Sequence, residues 1–67
     1  MPRRSIGRRL KQTRESRGLS QAQLGRVSGV GQAYISSLEA GRQRNPGIET
    51  LRKLARALGV SVAALVE

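Results

Sequence analysis

Between Ser20 and Gly41 the chain reads S-Q-A-Q-L-G-R-V-S-G-V-G-Q-A-Y-I-S-S-L-E-A-G, and this stretch constrains the fold more than any other. Ser20, followed three residues later by Gln23, is a capping box, and Leu19 and Leu24 flank it as a hydrophobic staple. A helix therefore starts at Gln21. Gly29 can take the positive φ that ends a helix, which limits this one to about two turns. Val30-Gly31 leads straight into a second helix, Gln32–Ala40, and Gly41 closes it. Gly31 is acceptable as an N-cap, at a cost of only a few tenths of a kcal/mol relative to Ser.

Glycine and proline punctuate the remainder into three further helices, and no stretch alternates with the period of a strand. Ser5 is a suitable N-cap for a first helix running to about Arg17, with Ile6 and Leu10 one turn apart on its inner face and Gly18 beyond its end. A polar, basic loop, Arg42-Gln43-Arg44-Asn45-Pro46-Gly47, precedes a helix over Ile48–Leu58. That helix places Ile48, Leu51, Leu54, Ala55 and Leu58 on one stripe. Gly59 ends it, Ser61 caps a final turn, and Val62–Val66 form a short fifth helix. The expected architecture is all-α, one domain over residues 1–67, with a core of about 5–66 and a basic arm at 1–4.

Charge points to a partner. Thirteen Lys/Arg against four Asp/Glu give a net charge of +9, and eleven of the thirteen are arginine. A polyanion is the natural counterpart, because neutralising phosphates releases condensed counterions. Tyr34 is the single aromatic residue, which argues against single-strand readers that stack bases on aromatic platforms. Catalysis is poorly supplied: the chain has no His, Asp or Cys, and only Glu15, Glu39, Glu49 and Glu67 as carboxylates. No acid–base pair, nucleophile–base pair or metal cluster can be built from that inventory, so neither an enzyme nor a cofactor is expected. The absence of cysteine fits a reducing, cytoplasmic setting. The longest apolar run, Val62–Val66, is far below the roughly 20 residues that span a bilayer. Ile6–Leu10 makes no apolar core for a leader after Pro2-Arg3-Arg4.

The helix from Gln32 carries the most informative surface. At about 100° per residue, Ile35 and Leu38 point together toward the body of the domain, while Ala33, Ser36 and Ser37 point away with Gln32 beside them. Tyr34 and Glu39 mark the two boundaries. An ordinary surface helix would carry Lys and Glu on its outer face. Small polar residues instead permit close approach to base edges.

The spacing of these residues has a family likeness. Gln21 to Glu39 resembles the helix-turn-helix of the Cro and repressor family of phage and bacterial regulators (the xenobiotic-response-element-like group), and the similarity extends over Ile6–Leu65. It includes R-x-x-x-G-L-S-Q at Arg14–Gln21, Y-I-S-x-L-E-x-G at Tyr34–Gly41, Asn45-Pro46, E-T-L-x-K-L-A-x-A-L-G-V at Glu49–Val60, and a closing S-V-x-x-L. The resemblance implies a five-helix, lambda-repressor-like fold that binds operator DNA, usually as a two-fold dimer.

Carried over residue by residue, the resemblance implies that Gln21 reaches a backbone phosphate at the head of the second helix and buttresses Gln32. A phosphate is favoured at that end by the helix dipole. Gln32 is the candidate for direct readout, since a carboxamide pairs bidentately with adenine N6 and N7. Ala33 can meet a thymine methyl, Ser37 a base edge, and Ser36 lies at the margin of that set. Tyr34 either donates to a phosphate or packs over the second helix. Arg42, Arg44 and Asn45 match the loop that grips the far backbone. Arg14 and Glu39 match a semi-buried salt bridge between the first and third helices that orients the recognition helix. Gly47 departs from the family, where many members have a capping serine and some a basic residue reaching the minor groove. Arg3, Arg4, Arg8 and Arg9 either add phosphate contacts or form a solvated face. Val62 and Val66, outside the core pattern, mark a possible dimer surface or simple end packing.

The expected function is a sequence-specific regulator of transcription, a repressor that binds a palindromic operator on double-stranded DNA as a homodimer. No membrane or small-molecule partner is expected, so any signal acts through abundance, a partner protein or autoregulation. Three alternatives share the fold: an antitoxin, a restriction–modification controller, and an RNA-associated adaptor of translation. A membrane-active cationic peptide is disfavoured, because no helix pairs a basic face with a bulky aromatic one.

Overall fold

The computed structural model describes residues 6–66. They form five α-helices, α1 (Ile6–Ser16), α2 (Gln21–Ser28), α3 (Gln32–Glu39), α4 (Ile48–Leu58) and α5 (Val62–Val66), with no strand among the described residues. The architecture is the expected all-α one. Ser5 as a cap, and Arg3 and Arg4 as a basic arm, lie outside the described residues.

Helix boundaries follow from local chemistry. α1 ends one residue short of the expected Arg17, whose N–H donates to the carbonyls of Thr13 (3.2 Å) and Arg14 (3.1 Å) in a tightened last turn. α3 ends at Glu39, and Ala40 caps it in a helical conformation. The chain then turns so that the N–H groups of Arg42 and Gln43 both donate to the Ser37 carbonyl, at 2.9 and 3.1 Å. Ser61 caps α5 through a bond from the Ala64 N–H to its hydroxyl (3.2 Å).

α2 and α3 pack on each other, α1 packs on α3 and α5, and α4 packs on α2 and α5. Every helix supplies the single core. Leu10, Leu24, Ile35, Leu38, Leu54 and Leu65 are fully buried, with Leu51, Ala55 and Leu58 almost so. Burying each large aliphatic side chain contributes about 1.5–3 kcal/mol, and a domain of this size has few of them. The expected α4 stripe is corrected at its first member: Ile48 is 54% exposed, so the core contact starts one turn into the helix at Leu51. Arg9 on α1 and Arg17 just past its end tie this segment to α5 and α4. Arg17 Nε donates to the Leu58 carbonyl at the end of α4 (2.9 Å), where a cation also suits the helix dipole. Arg9 is turned to α5, its NH1 group donating to the Ala64 carbonyl at 3.5 Å.

No helix among the described residues is long and apolar enough to cross a membrane.

Candidate nucleic-acid interface

The two central helices are set by their caps. Ser20 adopts an extended conformation, its hydroxyl accepts from the Gln23 N–H (3.0 Å), and the Gln23 carboxamide oxygen accepts from the Ser20 N–H (2.8 Å). Gly29 ends α2 at φ 78°, a left-handed conformation that costs other residues roughly 1–2 kcal/mol, and its N–H donates to the Gly25 carbonyl at 2.9 Å. The turn is tight. A Cβ at Gly25 would stand 3.1 Å from the Val30 carbonyl oxygen, so α3 begins almost in contact with α2.

α3 presents the two faces that the sequence separates. Ile35 and Leu38 are fully buried, Gln32 and Ala33 are exposed, and Ser36 and Ser37 are half-buried beside them. Tyr34 is half-buried and packs against the core. Arg42, Arg44 and Asn45 are exposed on the α3–α4 loop, and Gly47 caps α4 without a side-chain bond, leaving the first N–H groups of α4 beside that loop. Arg26, left aside in the sequence reading, shares a shallow depression with Ala22, Gly31 and Gln32 and puts an exposed cation near the start of α3. On α5, Val62 leans on the core, while Val66 is 41% exposed.

The salt bridge between α1 and α3 is present. Arg14 Nε donates to Glu39 Oε2 at 2.7 Å and the Arg14 NH2 group to Glu39 Oε1 at 2.9 Å, a two-pronged pair whose side chains are 10% and 4% exposed. The Arg14 NH1 group donates to the Leu19 carbonyl (2.7 Å), so one guanidinium ties α1 to α3 and to the entry of α2. The hydrogen bond to Glu39 raises the Arg14 pKa above its ordinary value; desolvation opposes this, and the charges of Glu39 and Glu15 reinforce it. Gln21 was expected to lean on Gln32. Instead its Nε2 donates to Glu39 Oε1 at 3.0 Å. A contact between residues 18 apart leaves no periodic trace in sequence, and only the crossing of α2 over the end of α3 reveals it.

Two capped helices joined by a glycine turn, with a buried ion pair bracing the second, form a helix-turn-helix, and the sequence pattern of the helix-turn-helix family matches residues 10–65. The chain belongs to this family. It is 42% identical over 62 residues to the HTH-type transcriptional regulator SinR of Bacillus subtilis, an alignment covering 92% of this chain and 56% of SinR. It is 37% identical over 62 residues to the immunity repressor protein of Bacillus phage phi105, covering 92% of this chain and 42% of that protein. The chain thus spans about half the length of these curated relatives. The crystal structure of SinR in complex with DNA is similar to this helix-turn-helix with a TM-score of 0.90 at 42% identity, over 92% of this chain and 98% of that one. The restriction–modification controller C.AhdI of Aeromonas hydrophila is similar with a TM-score of 0.83 at 38% identity, over 90% of this chain and 89% of that one.

Proposed function

We propose that the protein is a sequence-specific double-stranded DNA-binding regulator of transcription, a repressor that sets α3 in the major groove of a palindromic operator as a homodimer in the cytoplasm. The observation that carries this reading is the match, at a TM-score of 0.90, to SinR bound to DNA. The braced α3 and its outer face of Gln32, Ala33, Ser36 and Ser37 support it chemically, since such a helix can approach base edges closely. In this reading Gln32 pairs with adenine, Ala33 meets a thymine methyl, and Ser37 and Ser36 complete the readout. Gln21, Tyr34, Arg42, Arg44 and Asn45 hold the backbone, joined by main-chain N–H groups at the heads of α2 and α4. Arg14 and Glu39 keep α3 in place. Val66, with Val62 beneath it, lies on the surface where two copies meet, so that the recognition helices reach successive major grooves about 34 Å apart.

Selection of sites from a random duplex library at about 150 mM salt tests this reading. The expected result is an enriched inverted repeat with half-sites about one helical turn apart, bound with a log–log salt slope of roughly −5 to −7 for six to eight phosphates. Tight binding at low salt with no enrichment would mean that the +9 charge acts without readout, and the sequence-specific reading would fall. The likeness to C.AhdI favours one second reading, control of a restriction–modification system; the neighbouring genes separate the two.

A further inference from the structure

We infer that Glu39 is a positioning residue for the phosphate contact at the head of α2: its buried carboxylate fixes which way the Gln21 carboxamide faces. This rests on the proposed reading in which Gln21 meets the DNA backbone.

Glu39 sits at the end of α3 with its side chain 4% exposed, yet it receives three hydrogen bonds, two from Arg14 on α1 and one from Gln21 on α2. The Arg14 guanidinium is itself held by the Leu19 carbonyl, so the carboxylate faces a fixed fork. A carboxylate in that setting only accepts. Gln21 must therefore turn Nε2 toward it, since the flipped amide would set one oxygen against another at about the same distance. One amide N–H is consumed, and the second N–H and Oε1 face away from the carboxylate.

The donors at this helix end can be counted. The Gln23 N–H is taken by the Ser20 hydroxyl and the Leu24 N–H by the Ser20 carbonyl. The backbone N–H groups of Gln21 and Ala22 have no partner within any α-helix, and the Gln21 carboxamide keeps a second N–H that Glu39 does not take. In the proposed contact a phosphate at this helix end draws on those two backbone donors and on the second amide N–H, whose direction Glu39 sets. The ion pair with Arg14 is complete without Gln21. The additional bond joins the end of the recognition helix to the residue that grips the backbone one helix earlier, so α3 and that grip move as one unit.

The test is a double-mutant cycle read by fluorescence anisotropy on a selected operator and on an unrelated duplex, across a salt series. Comparing Gln21→Leu with its parent, once with Glu39 intact and once with Glu39→Met, which removes the acceptor, holds net charge constant within each comparison. With Glu39 intact, Gln21→Leu should weaken both duplexes by about 10-fold, as expected for one hydrogen bond to a charged group. The salt slope should stay unchanged, because a neutral amide displaces no counterion. In the Glu39→Met background the same substitution should cost less than about two-fold. An equal loss in both backgrounds overturns the inference and leaves Glu39 a purely structural partner of Arg14. Should Glu39→Met fail to fold, the wild-type side-chain amide spectrum of ¹⁵N-labelled protein decides. One Gln21 amide proton should exchange slowly and the other should shift when duplex is added. Two protons that exchange as fast as those of an exposed glutamine overturn the inference. Wild-type protein that binds neither duplex overturns the DNA reading, and this inference with it.

Discussion

The backbone of Gly7 on α1 lies against the Leu38 carbonyl on α3. A Cβ added at Gly7 would collide with the carbonyl oxygen and stand 2.7 Å from its carbon and 3.0 Å from the Cα of Glu39. This approach sets the distance between α1 and α3. In an exposed helix Gly→Ala gains up to about 1 kcal/mol. Here the sign reverses, and Gly7→Ala should destabilise by about 1–3 kcal/mol, the usual cost of overpacking. Urea unfolding measures it, and a stabilised variant would show that α1 can slide off α3 freely.

Arg14 and Glu39 act at the same junction. Arg14→Met keeps most of the aliphatic stem but leaves Glu39 buried without its fork, which should cost about 3–5 kcal/mol. The double variant Arg14→Met/Glu39→Met should recover much of that loss, because a packed apolar pair replaces a desolvated ionic one. A single-variant cost below about 1 kcal/mol would place the pair among solvated surface bridges such as Arg52–Glu49, whose side chains are 58% and 75% exposed.

α4 offers a contrast between neighbours of equal hydrophobicity. Leu54 is fully buried and Ile48 is 54% exposed. Leu54→Ala should therefore cost about 2–5 kcal/mol, whereas Ile48→Thr should stay within roughly 0.5 kcal/mol. Thermal unfolding of the two variants checks this, and equal losses would put Ile48 back in the core.

Stability should be flat between about pH 6 and 9. The chain has no His or Cys side chain to titrate in that range. Arg14 has its pKa raised by Glu39, so its contribution is fully present below the ordinary arginine value and is lost only as pH climbs through the raised one, in strong alkali. A transition in urea midpoint near neutrality would contradict this.

Local rules account for what the sequence disclosed. The start of α2 was legible because Ser20 and Gln23 satisfy each other within one turn, and its end because only glycine takes φ 78° cheaply. The end of α4 and the start of α5 followed from Gly59 and Ser61 in the same way. The Arg14–Glu39 pair came from family resemblance, since no spacing rule links residues 25 apart. What escaped were long side chains crossing between helices: Gln21 to Glu39, Arg17 to the end of α4, and Arg9 to α5. Ile48 was misplaced because periodicity assigns a face to a residue without saying where along the helix the partner begins.

The division of labour on the proposed DNA face yields the sharpest contrast. Gln32 and Arg44 are both exposed, one at the start of α3 and the other on the loop after it. A carboxamide that pairs with adenine N6 and N7 discriminates between bases, so Gln32→Ala should cost about 1–3 kcal/mol on the best site and relax preference at one position. A guanidinium on a phosphate carries no base information but releases a counterion. Arg44→Ala should weaken all sequences about equally and make the salt slope shallower by about one. Both are read from site selection repeated with each variant and from binding across a salt series. Unchanged preference in Gln32→Ala removes that residue from the readout, and a sequence-dependent loss in Arg44→Ala moves the loop from the backbone to the bases.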